Sequence, residues 1–295
     1  VAMDYEKDWI ANAYGEMSRR QFLAQMSAAG AVIAGFAVAS KALAGEIIRT
    51  PAEGLHIQEH RVPSGGFQVP IYEARPKAPG NYPVVVVIPE IWGMHEYIKD
   101  VVRRFGRRGF LAVTFEPYAR TGGVLQIEDR ETLLKVVNAV PDAQVMADLD
   151  AIVAYAKKHP SARADRIGVT GFCRGGLYTM LYCAHSADVA AAVVWYGQIK
   201  PAKTPGVRTV GPLEVAGRIQ APLLGLFGGA DLGIPVADVK ELEAALQTAG
   251  RMPEIVIYEK APHAFHADYR PSYRENEAKD AWARCLAWFD THLRG

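Results

Sequence analysis

Short apolar runs alternate with longer amphipathic ones along most of this chain. Residues 84–88 form a β-branched block with no polar interruption, the pattern of a strand buried on both faces of a parallel sheet. Similar runs recur at 111–115, 166–170, 190–196, 222–227 and 254–258. Between them, helical periodicity covers 96–108, 143–158, 175–186, 236–249 and 277–293. In the second of these, Val145, Leu149, Ile152 and Ala156 share one face at i, i+4, i+7 and i+11. Ahead of this alternation, extended runs at 55–62 and 67–74 flank Pro63-Ser64-Gly65-Gly66, which predicts an opening hairpin. The pattern as a whole predicts an α/β fold: a mostly parallel, doubly wound sheet with helices on both faces. Ligands then bind outside the carboxyl ends of its strands. Residues 197–217 carry four Gly and three Pro and read as a long loop near that edge, either a lid or an idle connection.

Composition narrows the function classes. At 295 residues, one domain with an N-terminal appendage is the expected organisation, divided here as 1–44 and 45–295. The 33 basic and 32 acidic residues nearly cancel and no like-charge run stands out, so a nucleic-acid partner is not expected. The histidines lack zincin spacing and no Gly-x-Gly-x-x-Gly follows the first strand, so neither a metal nor an organic cofactor is implied. Three cysteines, Cys173, Cys183 and Cys285, form no disulfide framework and contain no Cys-x-x-Cys, which disfavours a thiol-redox role. Cys183 and Cys285 fall on helices and read as packing residues.

The N-terminal segment reads as an address. Ser18-Arg19-Arg20-Gln21-Phe22-Leu23 precedes an uncharged Ala/Gly/Val-rich stretch to Ser40, then Ala42-Leu43-Ala44-Gly45. This resembles a twin-arginine export signal with a peptidase cut after Ala44, which predicts the export machinery as a partner and a periplasmic or secreted mature protein. The alternatives are an Ala-rich helix packed on the domain, an uncleaved anchor, and a cytoplasmic protein.

The chemistry-bearing residues fall where strands end. The run 166–170 leads into Gly171-Phe172-Cys173-Arg174-Gly175-Gly176 and then a helix. That is a nucleophile elbow, Gly-x-nucleophile-x-Gly, with Cys in place of Ser. A sharp strand-to-helix turn thrusts the side chain into the open, and the helix N-terminus favours a thiolate and a developing oxyanion. The amide of Arg174 is the natural first oxyanion donor; the competing reading is a buried structural Cys. Asp231 follows the strand at 222–227 and His263 follows the strand at 254–258, the acid-then-histidine order of such hydrolases. His263 then takes and returns the proton while Asp231 holds the ring. His266 competes with His263, and Asp238 and Asp268 compete with Asp231.

Four segments in this order, Pro89-Glu90-Ile91-Trp92-Gly93, Gly-Phe-Cys-Arg-Gly-Gly from 171, Phe-Gly-Gly-Ala-Asp from 227 and Pro-His-Ala-Phe from 262, resemble the dienelactone hydrolase family over about residues 83–293. The resemblance implies an α/β-hydrolase fold, a Cys-His-Asp triad and a small ester or lactone substrate. It also implies that Glu90 sits beside the thiol and modulates its ionisation, and that the amide of Ile91 completes the oxyanion hole. The family's dienelactone-cleaving members carry an Arg four residues past the catalytic His to pair with the substrate carboxylate. Here that position is Ala267, and Arg270, Arg120 and Arg130 are the candidate replacements. A thiolate suits activated esters and lactones better than amides. The alternatives are a broad carboxylesterase on aryl or short acyl esters and a non-catalytic binding protein on a hydrolase fold.

Overall fold

The computed structural model describes residues 47–295; the export-signal reading and the boundary at residue 44 lie outside the described residues. The chain opens with antiparallel strands β1 (Leu55–Ser64) and β2 (Phe67–Pro76), joined by Gly65 and Gly66, both at positive φ as a two-residue hairpin turn requires. β3 (Tyr82–Ile88) and β4 (Leu111–Phe115) follow, linked by helix α1 (Glu96–Arg107). Helices α2 (Arg130–Ala139) and α3 (Asp142–Lys158) lead to β5 (Ala162–Phe172), and α4 (Arg174–His185) leads to β6 (Ala191–Trp195). A short helix α5 (Pro212–Val215), then β7 (Leu223–Gly228), α6 (Val236–Thr248), β8 (Glu254–Tyr258) and α7 (Glu275–Arg294) complete the order.

Among the described residues, eight strands form one sheet in the order β1-β2-β4-β3-β5-β6-β7-β8. β1, β2 and β4 pair antiparallel, and every pairing from β4 across to β8 is parallel. The winding reverses at β3, since the chain leaves it for β4 on one side and returns to β5 on the other. Right-handed crossovers then send helices to opposite faces. On one face, Phe105 of α1 meets Trp282 and Phe289 of α7 with ring centroids 4.7 and 5.9 Å apart. On the other, the Tyr182 hydroxyl of α4 donates to Asp150 of α3 at 3.1 Å. The switch point lies between the ends of β3 and β5, where Glu90 and Cys173 emerge.

Three elements differ from the sequence expectation, the smallest being α5, which falls inside the stretch 197–217 read as a loop. β5 begins at Ala162 rather than 166, because Ala162 and Arg163 pair with Tyr82 and Pro83 beyond a register shift, and exposed Asp165 interrupts the apolar signal. Helix α2 was hidden by its polarity: it buries only Leu133 and Val137, and its start is marked by Asp129, which accepts from the Thr132 amide at 2.7 Å. Cys183 and Cys285 are buried in α4 and α7, and burial pushes the Cys183 thiol up to about 12, so neither ionises.

Candidate active site

The elbow after β5 is built by close approach. A Cβ at Gly171 would stand 2.2 Å from the Gly175 carbonyl oxygen, and one at Gly175 only 2.1 Å from that of Ile88. Only glycine fits either place. Between them Cys173 takes φ 56° and ψ −115°, a conformation that side chains rarely adopt. Tyr196, just past β6, and Ala264, next to His263, are the other non-glycine residues at positive φ among those described. All three lie at the carboxyl edge, so backbone strain is concentrated there. Gly176 and Leu177 donate their amides back to the Cys173 carbonyl, so the first amide of α4, that of Arg174, precedes the helix's own bonds.

Asp231 and His263 are brought together from the ends of β7 and β8. His263 Nδ1 lies 2.7 Å from Asp231 Oδ2, and the other Asp231 oxygen accepts from the Gly233 amide at 2.9 Å. Burial alone would drive the imidazole toward its neutral form; the charges of Asp231 and Cys173, with a hydrogen bond to each, prevail and raise its pKa to about 10. The Tyr196 ring packs edge-on against His263 at 5.1 Å. Cys173 is 3% exposed and His263 4%, so the loops enclose a thiol that the elbow alone would have left open.

The competing residues are engaged elsewhere. His266 Nδ1 lies 2.6 Å from the Tyr97 hydroxyl, and the ring stacks on Phe172 at 5.5 Å; burial, aided by the Arg104 charge, lowers its pKa well below the ordinary value. Asp268 pairs with Arg104 at 2.5 Å, and Asp238 with Lys200 at 3.0 Å.

Residues 69–293 match the Dienelactone hydrolase family. The chain belongs to that family. Its relatives include a Methylorubrum extorquens protein named "Putative carboxymethylenebutenolidase", 44% identical over 92% of each chain. An Escherichia coli K12 protein of the same name is 43% identical over 86% of this chain and 94% of its own length. The crystal structure of a "Putative Dienelactone Hydrolase" from Klebsiella pneumoniae superposes with a TM-score of 0.77 at 45% identity, covering 80% of this chain and 98% of that one. Membership makes the protein a hydrolase of lactone or ester bonds.

In this dienelactone hydrolase family member, Glu90 follows β3 and is fully buried. Its Oε2 accepts from Tyr269 at 2.8 Å and lies 3.1 Å from His95 Nε2, while Oε1 faces the Arg270 guanidinium at 3.6 Å. Burial opposes the charge, but His95, Arg270 and Tyr269 together outweigh it and hold the carboxyl below its usual value. Of the arginines considered as substrate contacts, Arg270 thus faces a protein carboxylate. Arg120 grips Asp148 at 2.5 and 2.8 Å and the Ser64 carbonyl at 2.9 Å, clamping the hairpin to α3. Arg130 opens α2, and the Arg174 guanidinium donates to Asn138 of that helix at 2.6 Å.

Sequence reasoning missed Glu116. It follows β4 as Glu90 follows β3, so the same positional rule could have found it. Its carboxylate accepts from the amides of Met94 and Tyr118 at 2.8 and 3.0 Å, tying the loop after β3 to the loop after β4. Burial nonetheless raises its pKa.

Proposed function

We propose that the protein hydrolyses a small ester or lactone by acyl transfer to Cys173, with His263 as proton carrier and Asp231 as its orienter. The Cys173 sulfur attacks the carbonyl carbon and the C=O π pair moves onto oxygen, where the amides of Ile91 and Arg174 receive the charge. Collapse breaks the acyl C–O bond, and the departing oxygen takes the His263 proton. Water then attacks the thioester, giving one proton to His263, and the sulfur leaves. In a lactone both fragments remain one molecule and the product is a hydroxy acid or its keto form.

The observation that carries this reading is His263, bonded to Asp231 at 2.7 Å and raised to about 10 by Asp231 and Cys173 together. An imidazole so held is protonated at neutral pH, the form a leaving oxygen needs. Family membership supports the substrate class. Mass spectrometry of enzyme quenched during p-nitrophenyl acetate turnover should find one acetyl group on Cys173. An acetyl group found only on another residue, or none under burst conditions, would sink the thioester.

For residues 1–44, the reading is export by the twin-arginine route, leaving 45–295 as the mature hydrolase. Replacing Arg19 and Arg20 with Lys should hold the protein in the cytoplasm; unchanged periplasmic yield would reject it.

A further inference from the structure

The carboxyl edge of the sheet, past the end of β4, holds a group that this mechanism leaves idle. Tyr118 lies three residues past β4, at the same carboxyl edge as Cys173. Its backbone is fastened: the amide donates to Glu116, and the carbonyl accepts from the Gly123 amide at 2.9 Å and the Thr121 hydroxyl at 2.8 Å. The side chain is 1% exposed, and its hydroxyl has no hydrogen-bond partner among the described residues. Several other buried phenols are satisfied, Tyr97 by His266, Tyr269 by Glu90 and Tyr182 by Asp150, and the Tyr196 hydroxyl beside His263 shares the unpaired state of Tyr118. Native proteins rarely bury an unpaired donor, and each one calls for an explanation, a functional role among them.

The phenol stands within electrostatic reach of the nucleophile. Burial raises its pKa well above the ordinary value, and the charges that act on it are those of Tyr178, Arg174, Glu116 and Cys173. The hydroxyl therefore stays protonated and can donate throughout the working range. Its neighbours come from α4 and the end of β4. His263, which serves the leaving group, has Asp231 and Tyr196 beside it, from the ends of β7 and β6. With the leaving group on the His263 side, the side of the substrate left to face the end of β4 is its acyl portion.

We propose that Tyr118 is a specificity-determining residue: its hydroxyl donates a hydrogen bond to an oxygen on the acyl side of the bound ester or lactone. Substrates that carry such an acceptor are favoured over hydrocarbon acyl groups, which would leave the buried donor unpaired. The proposal rests on the reading of Cys173 as the site of acyl transfer.

The test compares p-nitrophenyl methoxyacetate with p-nitrophenyl butyrate, acyl groups of one shape that differ by an ether oxygen in place of a methylene. Tyr118→Phe should lower the wild-type preference for the methoxyacetate, as a kcat/KM ratio, by roughly tenfold. The butyrate rate should change less than about threefold, in the spread ordinary for a peripheral contact. Because the hydroxyl has no partner in the free protein, the variant should melt at or above the wild-type temperature. An unchanged ratio, equal loss on both esters, or a melting temperature several degrees lower would each overturn the proposal, the last by revealing a structural partner. Cys173 alkylation by iodoacetamide, run on both proteins, separates the two readings. Equal alkylation with an unchanged ratio condemns Tyr118 alone, whereas full turnover after complete alkylation condemns the thiol mechanism.

Discussion

Two imidazoles three residues apart, His263 and His266, are buried to the same degree and differ in everything that decides protonation. His263 faces a carboxylate at 2.7 Å and a thiol, and its pKa rises to about 10. His266 faces a phenol at 2.6 Å and three further aromatic rings, with Arg104 as the charge nearby, and its pKa falls well below the ordinary value. Burial presses both toward the neutral form; only the anionic partner reverses it. A histidine's depth therefore says little about its work, and its neighbours say nearly all.

The harshest way to break the contrast is to remove the thiol. Cys173→Ala should cost on the order of 10⁶ in kcat on p-nitrophenyl acetate, the scale of losing a covalent nucleophile, while the fold survives. Next, Asp231→Asn puts His263 in an environment like that of His266. A loss of roughly 10⁴ in kcat is expected, with the His263 titration followed by NMR moving down from about 10. If the ring still titrated near its wild-type value, the carboxylate would not be the cause assigned to it. The pH response sharpens the same point. Since the folded pKa of His263 is raised above the ordinary 6.5, its protonated ring stabilises the fold fully below about pH 6.5, and that contribution is lost as pH rises through about 10. Urea unfolding between pH 6 and 11 should reveal the decline, and Asp231→Asn should flatten it. The smallest effect belongs to His266→Phe, which keeps the ring stacking but leaves the Tyr97 hydroxyl unpaired. Stability should fall by about 1–3 kcal/mol, with kcat within a factor of about three. Activity lost on the scale of a triad member would move the base to His266.

The sequence made the parallel strands legible because β-branched blocks such as Val84 to Val87 can hardly be anything else. The elbow was equally plain, because close packing admits only glycine at 171 and 175 and so leaves a visible spacing. What escaped was polar. α2 buries two side chains on one face, too few to set a period, although Asp129 caps it. His95 was invisible because its role comes from loops that meet only after folding, whereas Glu116, directly after β4, lay open to the positional rule that singled out Glu90. The contacts of the Glu90 carboxylate were likewise hidden: it meets His95, Tyr269 and Arg270, and the bond from Tyr269 alone spans 179 residues of chain. No local pattern encodes a pairing of that range.

The contact between Gly175 and the carbonyl of Ile88 has a mechanical consequence. It couples the two segments whose amides, at Ile91 and Arg174, are proposed to cradle the negative oxygen. Their separation is gauged by one hydrogen atom pressed against a strand end, so the cradle's width is a property of the rigid sheet rather than of any side chain that could swing aside. Even a methyl group at that spot would act as a wedge, spreading both halves of the cradle at once.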